Sequence, residues 1–230
     1  MTPGLAASWA NAELRKQPGR QHSERSHRGR VILIDDDLEI LAALSYLIEL
    51  EGYVCETFSS ALDYLGQLAL PRTRPPGPCC VLVDVMMPDL DGLEAQRRLT
   101  ALDDTPLLLM SGASGVHEAV TAFRAGALDF LIKPLEAETL LLAVEKALAV
   151  SRERQSLQAR SLALTHRLVA LTNREHDVAI RVARGDLNRV IAKDLRLALR
   201  TVKLYRQRAM EKLEARSTAD LIRVLQEAAL

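Results

Sequence analysis

The chain has 230 residues, 48% hydrophobic and only 3% aromatic, which suits one or two domains with real apolar cores. Its 30 basic and 30 acidic residues cancel overall, yet residues 1–30 carry a net +4, residues 31–150 a net −12 and residues 151–230 a net +8, as modules with different partners would. No apolar run approaches the roughly 20 residues of a membrane helix, and the polar first 30 residues hold no signal-peptide core, so a soluble, cytoplasmic protein with no membrane partner is expected.

Residues 1–29 mix Gly, Pro, Ser, His and Arg without periodicity and read as a disordered tail. From residue 31, strand and helix patterns alternate. Val31–Ile34 is a short apolar run ending in three aspartates, and Leu38–Leu50 has helical periodicity up to Gly52. Tyr53–Phe58 reads as a strand, Ser60–Leu68 as a helix and Pro71–Pro78 as a Pro/Arg-rich loop. Cys79–Val83, ending at Asp84, is a third strand, and its cysteines read as buried residues without a disulfide. Helix Leu93–Leu102, strand Leu107–Met110, helix Val116–Ala125 and strand Phe130–Ile132 follow, and a long helix begins near Glu136. Five strand–helix repeats with short, continuously apolar strands predict a doubly wound α/β domain on a parallel sheet.

Ligands of such sheets bind beyond the carboxyl ends of the strands. Those ends carry Asp35 and Asp36, Asp84, Ser111 and Lys133. Converging carboxylates repel one another unless a cation joins them, and Mg²⁺ prefers oxygen ligands. A carboxylate can also be a nucleophile toward a phosphoryl group, whose charge then needs a metal, a cation and hydroxyl or N–H donors. A haloacid-dehalogenase-type phosphatase is disfavoured, because the position two after Asp84 is Met86 rather than a second aspartate.

The segments "VILIDDD", "VLVDVMMPDLDG", "LLLMSGAS" and "ALDFLIKP" resemble, in order, the four signature segments of the response-regulator receiver domain. The resemblance implies the flavodoxin-like strand order 2-1-3-4-5, with Asp84 as phosphoacceptor. It implies Mg²⁺ held by Asp36 directly, by Asp35 largely through water, by Asp84 and by the Met86 carbonyl. Ser111 and Lys133 would contact the phosphoryl group. Phe130 would be the switch aromatic, Asp37 a helix N-cap, and Asp89, Asp91 and Gly92 turn residues.

The helix from about Glu136 to Ala170 places Val150, Leu157, Leu164 and Leu171 seven residues apart, with Leu168 between, in part of a coiled-coil seam interrupted by Arg154 and Ser161. It reads either as a linker packed on its own chain or as a self-associating helix. Thr172–Glu175 fits a capping box, opening a helix that ends near Gly185. Asn188–Leu195, the connection Arg196–Ala198 and Leu199–Glu214 fit a helix-turn-helix, and Ser217 would cap a last helix, Thr218–Gln226. On the second helix Val202, Tyr205, Ala209 and Leu213 share a predicted core face. Arg200, Lys203, Leu204 and Gln207 lie on the other side, a set able to read phosphates and base edges.

"LTNREHDVAIRVARGDLNRVIAKDL" and "TVKLYRQRAMEKL" resemble the LuxR-type DNA-binding domain of the FixJ/NarL response regulators. This implies base contacts at Lys203, Leu204 and Gln207, phosphate contacts at Thr201, Lys193 and nearby arginines such as Arg200, and a dimer surface on the last helix. Ala198 stands where the family has a capping Ser, Val190 where an acidic residue is usual, and Tyr205 where His is common. The expectation is a receiver domain over 30–150, a helical linker over 151–167 and an all-α four-helix LuxR-type domain over 168–230. The chain is expected to be a two-component transcription factor, not an enzyme, phosphorylated on Asp84 by a sensor histidine kinase. Its expected partners are an inverted-repeat DNA site, a second copy of itself on phosphorylation, and RNA polymerase as a further contact. The competing expectation is a constitutive DNA-binding protein whose first domain serves only dimerisation.

Overall fold

The computed structural model describes residues 28–69, 77–112 and 116–227. Residues 1–27 of the expected tail and residues 70–76, most of the Pro/Arg-rich loop, lie outside the described residues. The chain divides into two compact units, one ending at Arg154 and the other beginning at Gln155.

In the first unit the apolar runs form β1 (Arg30–Ile34), β2 (Val54–Phe58), β3 (Cys79–Asp84), β4 (Leu107–Ser111) and β5 (Asp129–Ile132). They make one sheet in the order β2-β1-β3-β4-β5, with every neighbouring pair parallel. The period of two along each strand feeds two separate cores. Val31, Leu33, Leu82, Leu108 and Met110 face one side, packing with Leu41 and Ile48 of α1 (Leu38–Leu50) and Leu140 and Val144 of α5 (Ala137–Val169). Ile32, Ile34, Val81, Val83 and Leu109 face the other, packing with residues of α2 (Ala61–Leu68), α3 (Gly92–Leu102) and α4 (Val116–Arg124).

Local chemistry sets the helix ends. Asp37 caps α1 by accepting from the N–H groups of Glu39 and Ile40, as expected. Gly52, at φ 84°, turns the chain out of that helix. Tyr53 precedes β2 rather than opening it; it is buried, and its hydroxyl donates to Glu145 of α5. Arg28 stacks 4.7 Å from the Tyr53 ring and pairs with Glu145. The Gly29 carbonyl accepts from the Val54 N–H.

In the second unit α6 (Asn173–Ala183), α7 (Asn188–Asp194), α8 (Leu199–Lys212) and α9 (Thr218–Glu227) enclose a third core containing Val178, Val182, Ile191, Val202, Ala209, Leu213 and Leu221. Of the expected core face of α8, Val202, Ala209 and Leu213 are fully buried and Tyr205 partly so. The Ser217 hydroxyl accepts from the Asp220 N–H at the start of α9. Leu168 and Leu171 pack against the third core, whereas Leu157 remains 56% exposed.

One buried charge pins this unit. Glu175 completes the capping box with Thr172, and its Oε2 also lies 2.6 Å from Lys212 Nζ at the end of α8. Lys212 donates in turn to the Ala170 carbonyl. The hydrogen bond from Lys212 and that from the Thr172 N–H hold the Glu175 carboxyl below its ordinary range. A lowered pKa stabilises the fold above the unfolded-state pKa, and the benefit disappears as pH falls through the folded value. Glu175→Gln should therefore destabilise this unit at neutral pH by about 2 kcal/mol. Hydrogen exchange of the α6 amides should show the difference between wild type and variant shrinking below about pH 4. A difference independent of pH would mean that the charge of Glu175 contributes nothing.

Candidate phosphoacceptor site and nucleic-acid interface

Parallel strands all end on one edge of their sheet, so the polar residues that terminate them must meet there. Asp35 follows β1, Asp84 ends β3, Ser111 ends β4 and Lys133 follows β5. Asp35, Asp84 and Ser111 are buried, while Asp36 is exposed. Lys133 Nζ lies 2.7 Å from Asp35 Oδ2 and 2.7 Å from Asp84 Oδ1, bridging two carboxylates from different strands. The second oxygen of each accepts a backbone N–H: Asp35 Oδ1 from Asp37, and Asp84 Oδ2 from Met86, both at 2.9 Å.

Burial raises the Asp35 pKa more than the hydrogen bonds from Lys133 and Asp37 lower it. Burial alone would push Lys133 down, but its bonds to Asp35 and Asp84 outweigh this and its pKa is raised. One oxygen each from Asp35, Asp36 and Asp84 lie within 4.8 Å of one another. A single ammonium leaves three carboxylates under-neutralised, and the donors are all hard oxygens, so the cluster fits a small divalent cation.

The loop after β3 is shaped by a close approach. A Cβ on Gly92 would lie 2.3 Å from the Asp84 carbonyl oxygen and 2.6 Å from Val85 Cα, both backbone atoms. The Gly92 N–H donates to the Val85 carbonyl at 2.9 Å, and Asp91 caps α3. Asp89, expected only as a turn residue, also accepts from the Ser60 hydroxyl at 2.5 Å, joining the loop after β3 to the one after β2. Burial pushes the Asp89 carboxyl up, but the Ser60 and Leu90 hydrogen bonds outweigh it and the pKa is lowered. Phe130 packs against the core shared by α2, α3 and α4. Lys133–Pro134 is a cis peptide bond.

In the second unit, Arg200, Lys203, Leu204 and Gln207 are exposed on α8, Thr201 is half-buried, and Lys193 is exposed on α7. The structure thus brings five of the six residues together on one helix. The connection between α7 and α8 turns at Arg196, with φ 53°. Neither helix has a side-chain cap, since Leu187 and Ala198 occupy the N-cap positions. Sequence reasoning missed that Gln207 is engaged, its Nε2 donating to Glu211 at 2.9 Å.

The description "Response regulator receiver domain" matches residues 31–145, and "Bacterial regulatory proteins, luxR family" matches residues 169–225. The response regulator protein TmoT of Ectopseudomonas mendocina is 36% identical over 218 residues, covering 92% of this chain and 95% of the relative. The transcriptional regulatory protein FixJ of Bradyrhizobium diazoefficiens is 32% identical over 206 residues, covering 88% of this chain and 97% of the relative. Among solved structures, response regulator StyR superposes with a TM-score of 0.79 at 34% identity, covering 86% of this chain and 98% of the other. Full-length FixJ from B. japonicum gives 0.53 at 32% identity, with 89% and 98% coverage.

The Gly92 contact makes a direct prediction. Gly92→Ala must displace backbone beside Asp84 and should destabilise the first unit by about 3 kcal/mol, read from urea unfolding. An unchanged midpoint would show that the loop yields without cost.

Proposed function

The chain belongs to the response regulators that join a receiver domain to a LuxR-type DNA-binding domain, and from that premise we propose that phosphorylation of Asp84 controls DNA binding by α7 and α8. The observation that carries this reading is the Lys133 bridge between Asp35 and Asp84, with Asp36 beside it and Ser111 on the same sheet edge. The proposed organisation is a receiver domain over residues 30–150, a helical linker over 151–167 and a DNA-binding domain over 168–230. The chain acts as a regulator rather than an enzyme, since its own phosphotransfer is a signalling step.

The phosphodonor is a sensor histidine kinase. An Asp84 carboxylate oxygen attacks the phosphorus of the phosphohistidine, the P–N bond breaks, and the imidazole leaves with the electron pair. Asp35, Asp36, Asp84 and the Met86 carbonyl would hold Mg²⁺, which when bound shields the transferring phosphoryl oxygens. Lys133 is already within ion-pair distance of Asp84 and would follow the new negative charge. Ser111, at the end of β4, supplies a hydroxyl to the same group, and Phe130 responds to that shift. Such a local electrostatic change biases a two-state element, here toward a dimer that sets two α8 helices about one DNA turn apart on an inverted repeat.

On the DNA side, Lys203, Leu204 and Gln207 reach base edges, while Arg200, Thr201 and Lys193 hold phosphates. RNA polymerase is the further partner of a factor bound at a promoter. Among the described residues no helix is long and apolar enough to cross a membrane, and the proposed location is the cytoplasm, where DNA is reached.

The test is binding to an inverted-repeat duplex, with and without a small phosphodonor and Mg²⁺. Phosphodonor should tighten wild-type binding by about tenfold and leave Asp84→Asn unchanged. Equal binding by both proteins under every condition would favour the constitutive reading. A separate expectation comes from Gln207. Glu211→Ala removes its intramolecular partner and an anion from the DNA-facing helix, and should raise affinity about threefold at low salt. A loss of affinity would mean that Glu211 orients Gln207 for its base.

A further inference from the structure

Arg206 is a half-buried cation of α8 and, unlike Lys212, it pairs with no carboxylate among the described residues. Its guanidinium instead makes two neutral contacts. One N–H donates to Thr218 Oγ1, at the first residue of α9, at 2.9 Å, and another reaches Asn188 Oδ1, at the first residue of α7, at 3.4 Å. Neither acceptor lies on α8, so one side chain ties the recognition helix to the starts of both neighbouring helices.

Two further observations give this contact weight. The N-cap positions of α7 and α8 are Leu187 and Ala198, and neither provides a side-chain hydrogen bond. The starts of α7 and α8 therefore lack the side-chain cap that ordinarily fixes a helix start, whereas α9 has Ser217. Arg206 and Asn188 also line an open cleft of about 830 Å³ together with Lys203 and Gln207, two of the proposed base-reading residues. The planar fork of a guanidinium suits it to fixing directions between helices, which a lysine ammonium cannot do.

We infer that Arg206 is a positioning residue for DNA recognition, a clamp that sets the angle of α8 against α7 and α9 without itself contacting DNA. The inference rests on the DNA-binding reading above. It separates two kinds of cation on one helix: Arg200 and Lys203 face outward, and Arg206 turns inward to hold the helix that carries them.

The experiment uses the full chain and a duplex selected from a random pool by the wild-type protein. Arg206→Met and Thr218→Val should each weaken binding, the first by about tenfold. The double variant should be no weaker than Arg206→Met alone, since that change already removes the contact Thr218→Val removes. The slope of affinity against salt should match wild type in all three, because no phosphate contact is lost. Arg206→Lys should not restore affinity. Without DNA, hydrogen exchange at the Leu221–Val224 amides should speed up in both single variants.

A salt slope reduced by about one in Arg206→Met, with Thr218→Val behaving as wild type, would make Arg206 a phosphate contact and overturn the clamp. Unchanged binding in every variant would do the same. If the wild-type chain selects no duplex, the DNA reading fails and the proposed role in recognition fails with it. Faster exchange in the variants would then leave Arg206 as a purely structural tie.

Discussion

Two buried carboxylates held by one lysine set the terms for the first unit. Asp35 and Asp84 end neighbouring strands, so the parallel register that aligns β1 with β3 also forces their charges together. Lys133 comes from the far side of β4, after β5, and reaches both. The bridge therefore needs the whole sheet edge in order. Ion pairs of this kind contribute little net stability, because desolvation offsets most of the attraction. Here the burden is visible in the raised Asp35 pKa. The charge of the cluster is thus incompletely balanced by Lys133 alone.

The second unit uses charge in the opposite way. Glu175 is almost fully buried and engaged, its Oε2 accepting from Lys212 and from the backbone of its own capping box. It joins the first turn of α6 to the last turn of α8, across which Val178, Val202 and Leu213 pack. Nothing there waits for a ligand, and the lowered pKa reflects that.

Periodicity carried most of the fold in the sequence. Continuous apolar runs marked β1, β3 and β4 as strands buried on both faces, and the caps at Asp37, Thr172 and Ser217 follow from single residues. The site residues were legible because polar groups at the ends of apolar strands have one common destination. Pairings at long separation were not legible. Lys212 meets Glu175 across 37 positions and Ser60 meets Asp89 across 29. No local pattern encodes which of many carboxylates a cation will find. The seven-residue spacing is likewise silent about partners. Leu168 and Leu171 pack against the third core, whereas Leu157 stays exposed, so one spacing holds residues of both kinds.

The distribution of partners among the charges is the more telling record. In the second unit Arg167 pairs with Glu214, Arg181 with Asp194 and Lys212 with Glu175. Arg200 and Lys203, exposed on α8, make no ion pair among the described residues. Paired cations are neutralised in place and cannot release counterions from DNA, whereas unpaired ones can. In the first unit Asp35 and Asp84 are engaged by Lys133, and Asp36 stays exposed at the same edge. Asp36 on the sheet edge is negative, and Arg200 and Lys203 on α8 are positive, the signs that a metal ion and a phosphate backbone respectively need. Net charge by segment is only the coarse shadow of that arrangement, since it does not say which cations stay unpaired or which helix carries them.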